Sequence, residues 1–494
     1  MMKKLRHCYL LPALLSIWAC SCNKNVGGNQ PGDDPLPSAT KVEHYVFEPS
    51  LQDSQLYTVK VADEFAYVYP TYEEHICWFG VSDDGYVRVE VSLQGQKINK
   101  ADVHPFAIDY QSTIENNKLI LYLKQYDRVC VEFNGSIEQP LMIFANPIDE
   151  NMPAKDDPQV KFFEGGKVHA AGQITLTDEC RRVYIAPGAI VDGTIFAKDV
   201  DGVEIAGGGF LRTIDCARSH TDFYQPFSIA LNGCKGSVVK DITNISNSGG
   251  WVSLYTNCDD SYITNVKSLG INKTEGQKTN NDSMDIIGGK NVHVSKCFLR
   301  GHDDCYCLKS QKFKLKGDVD GIYYEDCIGW NVDAGNTFEI GYETQIDIKN
   351  VHYKNIYAIH SGTSGTDMRR AAIGIHNGGA GTISNVTYEN VYMDDVQEFA
   401  IFIACLKHNY NIGYDDNGQA LLYSPGHIKG VSLKNVNVLN VRPSKGYCVL
   451  LGYDDSHLVS DVTFSGFRYL DRDILSLQDN VWKTKKYYSE INFE

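Results

Sequence analysis

The chain has 494 residues, of which 43% are hydrophobic, and a formal net charge of −16 at pH 7. This length supports two domains with a large core, and the hydrophobic fraction is that of a folded protein. The acidic balance argues against nucleic acid or an anionic polymer as a partner, because proteins meet those with clustered lysine and arginine.

The N-terminus is typical of an exported lipoprotein. Basic residues and an apolar run too short to span a bilayer precede Cys20 and Cys22. We predict a lipoprotein-type signal over residues 1–22 with one of these cysteines lipidated, and simple signal cleavage is the alternative. Residues 23–42, rich in Gly and Pro, are expected to form a flexible linker to a membrane. The expected location is the cell envelope, periplasmic or at the cell surface.

Residues 43–159 contain short runs in which apolar and polar residues alternate, and they have no helical periodicity. Residues 86–93 (Tyr-Val-Arg-Val-Glu-Val-Ser-Leu) follow this pattern directly after the turn signal at 83–85 (Asp-Asp-Gly). The pattern predicts a small N-terminal β-sandwich domain of antiparallel strands. Its expected role is packing against the second domain, with carbohydrate binding as the alternative.

Residues 160–494 have a different rhythm of short β-branched runs separated by turns. Many runs carry Asn before the closing apolar residue, as at 262–266 (Tyr-Ile-Thr-Asn-Val), 383–386 (Ile-Ser-Asn-Val) and 433–436 (Leu-Lys-Asn-Val). Spacings from the low twenties upward indicate coils of one minimum size with insertions on one face. The predicted fold class is all-β, a right-handed parallel β-helix preceded by the small N-terminal β-sandwich.

Cysteine spacing gives no sign of a metal centre. Twelve of the 15 cysteines follow the signal region, but they form no CxxC pair and no zinc spacing with histidine. We therefore predict no metal and no cofactor, and we expect buried thiols at strand positions.

Three aspartates within the β-helix region are the candidate catalytic group. Coils of a β-helix stack about 4.8 Å apart, so an offset of 21 residues is expected to set Asp303 above Asp282, with Asp304 adjacent. Crowded carboxyls separate their pKa values, which supplies an acid and a base at one pH, as a glycosidase needs. Isolated Asp-Asp pairs, such as Asp394-Asp395, are expected in solvated turns.

The motifs around these acids resemble those of glycoside hydrolase family 28, the polygalacturonases, and more closely family 49, the dextranases and isopullulanases. Residues 280–282 (Asn-Asn-Asp) resemble the Asn-Thr-Asp motif of family 28, and residues 302–305 (His-Asp-Asp-Cys) its Gly-Asp-Asp-Cys motif. The resemblance implies that Asp303 is the general acid. It also implies that Asp282 and Asp304 hold and deprotonate the attacking water in an inverting hydrolase.

Two departures from family 28 point to a neutral substrate. Residues 335–341 lack the histidine of the Gly-His-Gly motif, and residues 372–376 (Ala-Ile-Gly-Ile-His) stand where family 28 carries the Arg-x-Lys that holds a galacturonate carboxylate. The expected substrate is a neutral α-linked polysaccharide or oligosaccharide. A uronic-acid glycan, a polysaccharide lyase activity and a non-catalytic glycan-binding β-helix are the alternatives.

Further residues near the acids are candidates for substrate binding. Lys309, Trp330, Glu339 and Tyr342 resemble the family 49 pattern of a lysine after the acids, then Trp, then Glu-Phe-Gly-aromatic. Trp330 and Tyr342 are candidates for sugar-ring stacking, and Glu339 for hydrogen bonds to hydroxyls, while core packing or a strand-edge charge is the structural alternative. The full set of candidates is Asn281, His302, Lys309, Trp330, Glu339, Tyr342 and His376.

Overall fold

The computed structural model describes residues 36–82, 85–214, 227–247, 250–272, 280–312, 315–362, 370–407, 419 and 424–494. Within these residues all regular structure is β, which confirms the predicted fold class. Residues 38–494 form one compact unit. The predicted lipidation sites Cys20 and Cys22 lie outside the described residues. The described part of the chain contains no helix that is long and apolar enough to cross a membrane.

Two sheets form the N-terminal part of the compact unit. Their strands are β1 (Val42–His44), β2 (Tyr57–Val61), β3 (Glu64–Ala66), β4 (Val68–Pro70), β5 (His75–Val81), β6 (Val87–Leu93), β7 (Ala101–His104), β8 (Ser112–Glu115), β9 (Lys118–Leu123), β10 (Arg128–Phe133) and β11 (Leu141–Pro147). One sheet has the order β1-β5-β11-β10-β7 with β4 beside β5, and the other the order β3-β2-β6-β9-β8. Pairing is antiparallel except between β5 and β11, which run parallel; this corrects the all-antiparallel expectation.

Alternation explains the core between these two sheets. In β6 every second residue is buried, because successive side chains of a strand point to opposite faces. Val89, Leu121 and Phe79 thereby meet in one apolar cluster between the sheets.

The remaining strands form the β-helix. They are β12 (Val160–Phe163), β13 (Val168–Thr175), β14 (Arg182–Ile185), β15 (Ile190–Lys198), β16 (Glu204–Ala206), β17 (Phe210–Thr213), β18 (Ile229–Asn232), β19 (Val238–Lys240), β20 (Thr243–Ser246), β21 (Ser253–Thr256), β22 (Tyr262–Thr264), β23 (Lys267–Gly270), β24 (Met284–Ile287), β25 (Gly289–Ser295), β26 (Phe298–Gly301), β27 (Tyr306–Ser310), β28 (Val319–Asn331), β29 (Phe338–Thr344), β30 (Ile348–His360), β31 (Ala371–Asn377), β32 (Thr382–Met393), β33 (Phe399–Cys405), β34 (His427–Val438), β35 (Tyr447–Leu451), β36 (Val459–Tyr469), β37 (Arg472–Asp473), β38 (Trp482–Lys486) and β39 (Tyr488–Phe493). Strands one coil apart pair in parallel along its length.

Asparagine marks the corners of the coils. Asn355, Asn390 and Asn435 have φ values of +53°, +58° and +51°, in the left-handed region that asparagine tolerates better than most residues. Asn390 Nδ2 donates to Asn355 Oδ1 at 2.9 Å, and Asn435 Nδ2 donates to Asn390 Oδ1 at 2.8 Å. The recurring Asn of the sequence repeat therefore forms a hydrogen-bonded ladder from coil to coil.

The sandwich packs against the β-helix through apolar and polar contacts. Trp78, Phe144, Phe298 and Trp330 belong to one buried cluster between them. Trp78 Nε1 donates to Thr243 Oγ1 at 2.8 Å. Trp330 is only 3% exposed, so the structure corrects its prediction as a sugar-stacking residue: this indole packs in the interface.

Candidate active site

The three predicted aspartates lie on one face of the β-helix, where β21, β24, β27, β29 and β31 are successive neighbours. Met284 pairs with Tyr306, so the register between these coils is 22 residues and not the predicted 21. Asp304, rather than Asp303, therefore lies above Asp282. Carboxylate oxygens of Asp282 and Asp304 lie within 4.8 Å of each other.

Alternation along these strands separates core residues from site residues. Met284, Tyr306 and Phe338 are in register and point into the helix core. The next position along each strand points outward, and it brings Asp285 and Glu339 to the site face. Both carboxylates are fully buried there.

The turn that carries Asp303 is shaped by its neighbours in the next coil. Asn331 Nδ2 donates to the Asp303 carbonyl oxygen at 2.5 Å. Gly335 has φ of +70°, and a Cβ at this position would lie 2.5 Å from Asp303 Oδ1. Glycine is required here because both the backbone conformation and the close approach exclude a side chain.

The residues that lead into the same turn are tied to the sandwich. Arg300 Nη1 donates to Glu73 Oε2 at 2.8 Å and lies 3.3 Å from Glu74 Oε2. His302 Nε2 lies 2.8 Å from Glu73 Oε2, and its Nδ1 lies 2.6 Å from Asp333 Oδ2. Burial opposes ionisation of Glu73, but Arg300 and His302 lower its pKa to about 2. The sandwich therefore helps to fix the acid turn.

Two predicted substrate-binding residues have such supporting positions. His302 is 2% exposed and Asn281 is fully buried. The backbone N–H of His302 donates to Asn281 Oδ1 at 2.8 Å. These contacts assign both side chains to the support of the turn and not to direct contact with a sugar.

Asp303 is the most accessible of the three aspartates, and it is half-buried. With the Asn280 amide oriented to satisfy both partners, its Nδ2 donates to Asp303 Oδ2 at 2.9 Å and its Oδ1 accepts from Trp251 Nε1 at 3.2 Å. Burial and the adjacent Asp304 raise the pKa of Asp303 to about 7. Asp303 is therefore equipped to hold a proton near neutral pH.

Asp304 is buried and held in one orientation by Asn336. Its Oδ1 accepts from the Asn336 backbone N–H at 2.7 Å and from Asn336 Nδ2 at 3.1 Å. Burial and the charge of Glu339 raise the pKa of Asp304 to about 7, although the Asn336 hydrogen bonds act in the other direction. Asp303 and Asp304 therefore compete for protons in the same pH range.

Lys309 neutralises part of the negative charge of the buried aspartates. Its Nζ donates to Asp285 Oδ1 at 2.6 Å and to Asp282 Oδ2 at 3.0 Å, and it lies 3.9 Å from the ring centroid of Trp251. Burial acts to lower the pKa of Lys309, but Asp285 and Asp282 raise it overall. Among the described residues, the buried Asp282 Oδ1 has no hydrogen-bond partner, so one acceptor position of this carboxylate is unfilled within the protein.

The same contacts decide how the site treats a cation. Oxygens of Asp282 and Asp304 and the sulfur of Cys307 lie within 4.8 Å of one another, which is compatible with metal ligation. Lys309 already places an ammonium on Asp282. The residues therefore supply their own counter-charge at the position where an ion would bind.

Glu339 and His376 form a buried pair on the next two strands. His376 Nδ1 lies 2.8 and 2.9 Å from the two Glu339 oxygens, and both side chains are fully buried. Tyr342 stacks on the His376 ring with centroids 4.7 Å apart. Gly374 leaves the space that Glu339 fills, because a Cβ there would collide with Glu339 Oε2. Half-buried Tyr342 is the member of this group that faces solvent most.

Sequence reasoning missed several residues of the site. Trp251 and Asp285 contact Lys309, and Asn336 donates to Asp304. Glu73 contacts His302 from the sandwich. Asp285 follows the motif at 280–282 by three residues, and the alternation of side chains along the strand from Met284 could have placed it on the site face. Glu73 had none, because its contact with His302 spans 229 residues.

Known glycoside hydrolases are similar in sequence to this chain. A family model described as glycosyl hydrolases family 28 matches residues 159–469. Exopolygalacturonase X-1 of Emericella nidulans is 26% identical over 220 residues, which are 41% of this chain and 48% of that protein. A polygalacturonase of Juniperus ashei is 26% identical over 184 residues, 37% of this chain and 32% of that protein. This chain therefore spans half or less of the length of these relatives.

A solved structure extends the likeness to nearly the whole chain. Dex49A from Penicillium minioluteum aligns with a TM-score of 0.61 at 14% identity, covering 92% of this chain and 97% of that chain. At this identity the alignment shows a shared fold.

Proposed function

Because this chain belongs to family 28 of the glycosyl hydrolases, we propose that it hydrolyses glycosidic bonds with inversion at the anomeric carbon. The division of three aspartates between two environments carries this proposal. Asp303 is half-buried and accepts a hydrogen bond from Asn280, whereas Asp282 and Asp304 are buried within 4.8 Å of each other. One carboxyl can give a proton while the pair receives one, as glycoside hydrolysis requires.

In the proposed reaction Asp303 is the general acid. Its proton passes to the glycosidic oxygen as the bond to the anomeric carbon breaks, and that proton stays on the released sugar hydroxyl. Asp282 and Asp304 hold a water on the opposite face and accept its proton as it attacks. Burial raises the pKa of Asp282, and Lys309, 3.0 Å from Asp282 Oδ2, acts in the opposite direction. Inversion requires the acid and base carboxyls to stand about 6.5 to 9.5 Å apart.

A neutral α-linked glycan is the proposed substrate class. Beyond the catalytic three, Asp285, Glu339 and Glu343 add carboxyl groups to the site; Glu343 raises the pKa of both Asp285 and Glu339. Lys309 is already bonded to two carboxylates. An anionic sugar would be repelled by the surplus of acids, and Lys309 is already engaged by them.

A uronic-acid glycan is the second candidate. It is favoured by the names of the relatives, an exopolygalacturonase and a polygalacturonase. Within the site, the positive charge of Arg370 acts on Asp303. In this second reading Arg370 would receive the uronate carboxylate.

The test is hydrolysis of a panel of neutral and uronic polysaccharides, with the product anomer followed by NMR. The wild type, Asp303→Asn and a matched surface control, Asp318→Asn, whose side chain is 58% exposed, are compared. We expect an inverted product from a neutral α-glycan with the wild type and the control. Asp303→Asn should be slower by about a thousand-fold, within the range for a lost general acid.

Other outcomes decide between the alternatives. Hydrolysis restricted to uronic glycans would select the second candidate, and an unsaturated product would indicate a lyase. Equal glycan binding by the wild type and Asp303→Asn without any hydrolysis would replace the enzyme with a binding module.

We also propose that the protein is exported and anchored to a membrane by a lipid on Cys20 or Cys22. The sequence pattern of residues 1–22 supports this, with 23–42 as the tether. In this layout residues 43–159 are the sandwich domain and residues 160–494 the catalytic domain. Labelling with a fatty-acid analogue should mark the wild type and fail in either Cys20→Ser or Cys22→Ser; label retained in both single variants would contradict the assignment.

A further inference from the structure

A second cluster of ionisable side chains lies between the sandwich and the β-helix. His104 ends β7, Glu132 lies in β10 and His360 ends β30. They are 2%, 4% and 3% exposed, respectively. His360 Nε2 lies 2.6 Å from Glu132 Oε1, and His104 Nε2 lies 3.5 Å from Glu132 Oε2. Both imidazoles thus direct the same ring nitrogen at one carboxylate, one at each oxygen.

The other nitrogen of each ring is bound by an aspartate. His104 Nδ1 lies 2.8 Å from Asp394 Oδ2, and His360 Nδ1 lies 2.9 Å from Asp395 Oδ2. Asp394 Oδ2 also accepts the Phe106 backbone N–H at 2.8 Å. A carboxylate on one nitrogen orients an imidazole and, where the other nitrogen is unprotonated, directs the lone pair of that nitrogen at a metal, the arrangement that surrounds protein metal ligands.

The inner nitrogens of the two histidines and the oxygens of Glu132 must share either protons or a cation. With Nδ1 donating to the aspartates, an Nε2 atom that carries no proton would direct its lone pair at an oxygen of Glu132. Lone pairs and a carboxylate at these separations repel each other in a buried site. Arg442 Nη2 is 3.9 Å from Asp395, at the outer edge and not among these atoms. Two protons or one divalent ion meet the requirement.

We propose that His104, Glu132 and His360 bind a structural zinc ion that joins the sandwich to the β-helix. One ligand atom from each residue lies within 4.8 Å of the others. Zinc holds nitrogen and oxygen ligands at about 2.0 to 2.2 Å, so small side-chain rotations close the three around one ion. Both Glu132 oxygens are presented, which gives four donor atoms in total, the number that structural zinc prefers.

The position of the ligands in the sequence explains why spacing did not predict this site. His360 and Glu132 are 228 residues apart, and Asp394 is 290 residues from His104. The proposed ion would close this long loop between the sandwich and the β-helix, so zinc should stabilise the folded chain. The site is separate from the aspartates, so its test does not depend on the proposed hydrolase function.

The test measures zinc content and thermal stability of the full chain. The protein is stripped with a chelator, dialysed against a small excess of zinc and analysed by elemental mass spectrometry. We expect about one zinc per chain in the wild type and a rise in Tm of about 3 °C at saturating zinc. His360→Gln should lose the zinc and the Tm response, whereas His293→Gln, a histidine in a stack with Tyr262 and Tyr323, should keep both.

Two further measurements keep the result decisive if His360→Gln does not fold. Glu132→Gln changes one ligand with little change of volume and should lose zinc in the same way. Cys307→Ser removes a ligand atom from the cluster of Asp282, Asp304 and Cys307, and this variant should retain its zinc. Zinc that leaves with Cys307→Ser, or a wild type that takes up no zinc and shows no Tm change, would overturn the proposal and leave the cluster held by protons.

Discussion

Two Asp-Asp pairs in this chain have opposite surroundings. Asp303-Asp304 has two carboxyls beside further acids, and the pKa of each is raised to about 7, chiefly by burial. Asp394-Asp395 has one imidazole on each carboxylate: Asp394 lies 2.8 Å from His104, while Asp395 is paired with His360. The sequence dipeptide is identical, and only the partners from distant strands differ.

The difference in surroundings suits one pair to catalysis and the other to the stability of the fold. A buried carboxyl without a matching cation binds a proton near neutral pH, and such a proton can be transferred. A carboxyl matched to an imidazole gains a charge-assisted hydrogen bond, and it contributes stability without a transferable proton. We therefore expect substitutions in the two pairs to have opposite consequences.

The largest expected effect comes from substituting one aspartate in each pair. Asp304→Asn should lower kcat by about a thousand-fold. Asp394→Asn should lower the free energy of unfolding by about 3 kcal/mol, because it weakens a buried pair, and leave kcat within about two-fold. Glycan hydrolysis and urea unfolding are measured on both variants. Asp304→Asn should lose activity, and Asp394→Asn should lose stability.

The stability of Asp304→Asn should depend on pH differently from that of the wild type. The folded pKa of Asp304, about 7, lies above the ordinary aspartate value of about 3.9. The wild type therefore loses stability as pH rises through 7, and the asparagine variant does not. At pH 8 Asp304→Asn should be at least as stable as the wild type; a destabilised, inactive variant would show that Asp304 is a structural residue.

Removing the cation of the active site should bring the next largest effect. Lys309→Met keeps much of the side-chain volume but leaves Asp282 and Asp285 without their ammonium. We expect kcat/KM to fall about a hundred-fold, because the pKa of Asp282 should rise and the base be lost. Lys290→Met, at a lysine whose side chain is 53% exposed, is the matched control. Full activity in Lys309→Met would remove Lys309 from the mechanism.

The pH profile should show both members of the active-site pair. Activity requires a protonated Asp303 and an ionised base. The value of kcat/KM should therefore fall above about pH 7, where Asp303 loses its proton, and it should also fall at lower pH, where Asp304 gains one. Asn336→Ala removes a hydrogen bond that lowers the pKa of Asp304. The acidic limb should therefore move to higher pH while the alkaline limb stays; an unchanged profile would contradict the assignment of Asp304 to the base.

Local patterns in the sequence were sufficient for the fold and for placing Asp282, Asp303 and Asp304 on one face of the β-helix. Alternation predicted the sandwich strands, and the recurring Asn predicted the coils whose corners Asn355 and Asn390 occupy. The fold class is confirmed, whereas the catalytic roles of Asp303 and its neighbours stay predictions. Short-range patterns contain this information because strand and corner preferences are local.

Features that depend on distant partners were not predictable. Asp394-Asp395 was expected in a solvated turn, and this was wrong because His104 and His360 enclose it. The register was wrong by one residue, since the length of a turn between strands is not fixed by its composition. Trp330 was a candidate for sugar stacking with core packing as the alternative, and the choice depended on contacts with the sandwich that lie far away in the sequence.

The smallest expected effect tests how Trp251 supports the active-site pair. Its ring lies over Lys309, and its Nε1 donates to Asn280, which in turn donates to Asp303. Trp251→Phe keeps a ring for the ammonium and removes the N–H, whereas Trp251→Leu removes both.

We expect kcat to fall about three-fold in Trp251→Phe and about ten-fold in Trp251→Leu, since a cation over an indole is worth roughly 1 kcal/mol or more when buried. If Trp251 positions the catalytic groups, kcat falls and the pH limbs move. If Trp251 only stacks on a sugar, KM rises with kcat and the pH limbs unchanged, because the loss is then one of ground-state binding. Asp394 and Asp395 contact His104 and His360 and not the catalytic aspartates. Variants of Asp394 and Asp395 should therefore leave the pH profile of hydrolysis unchanged.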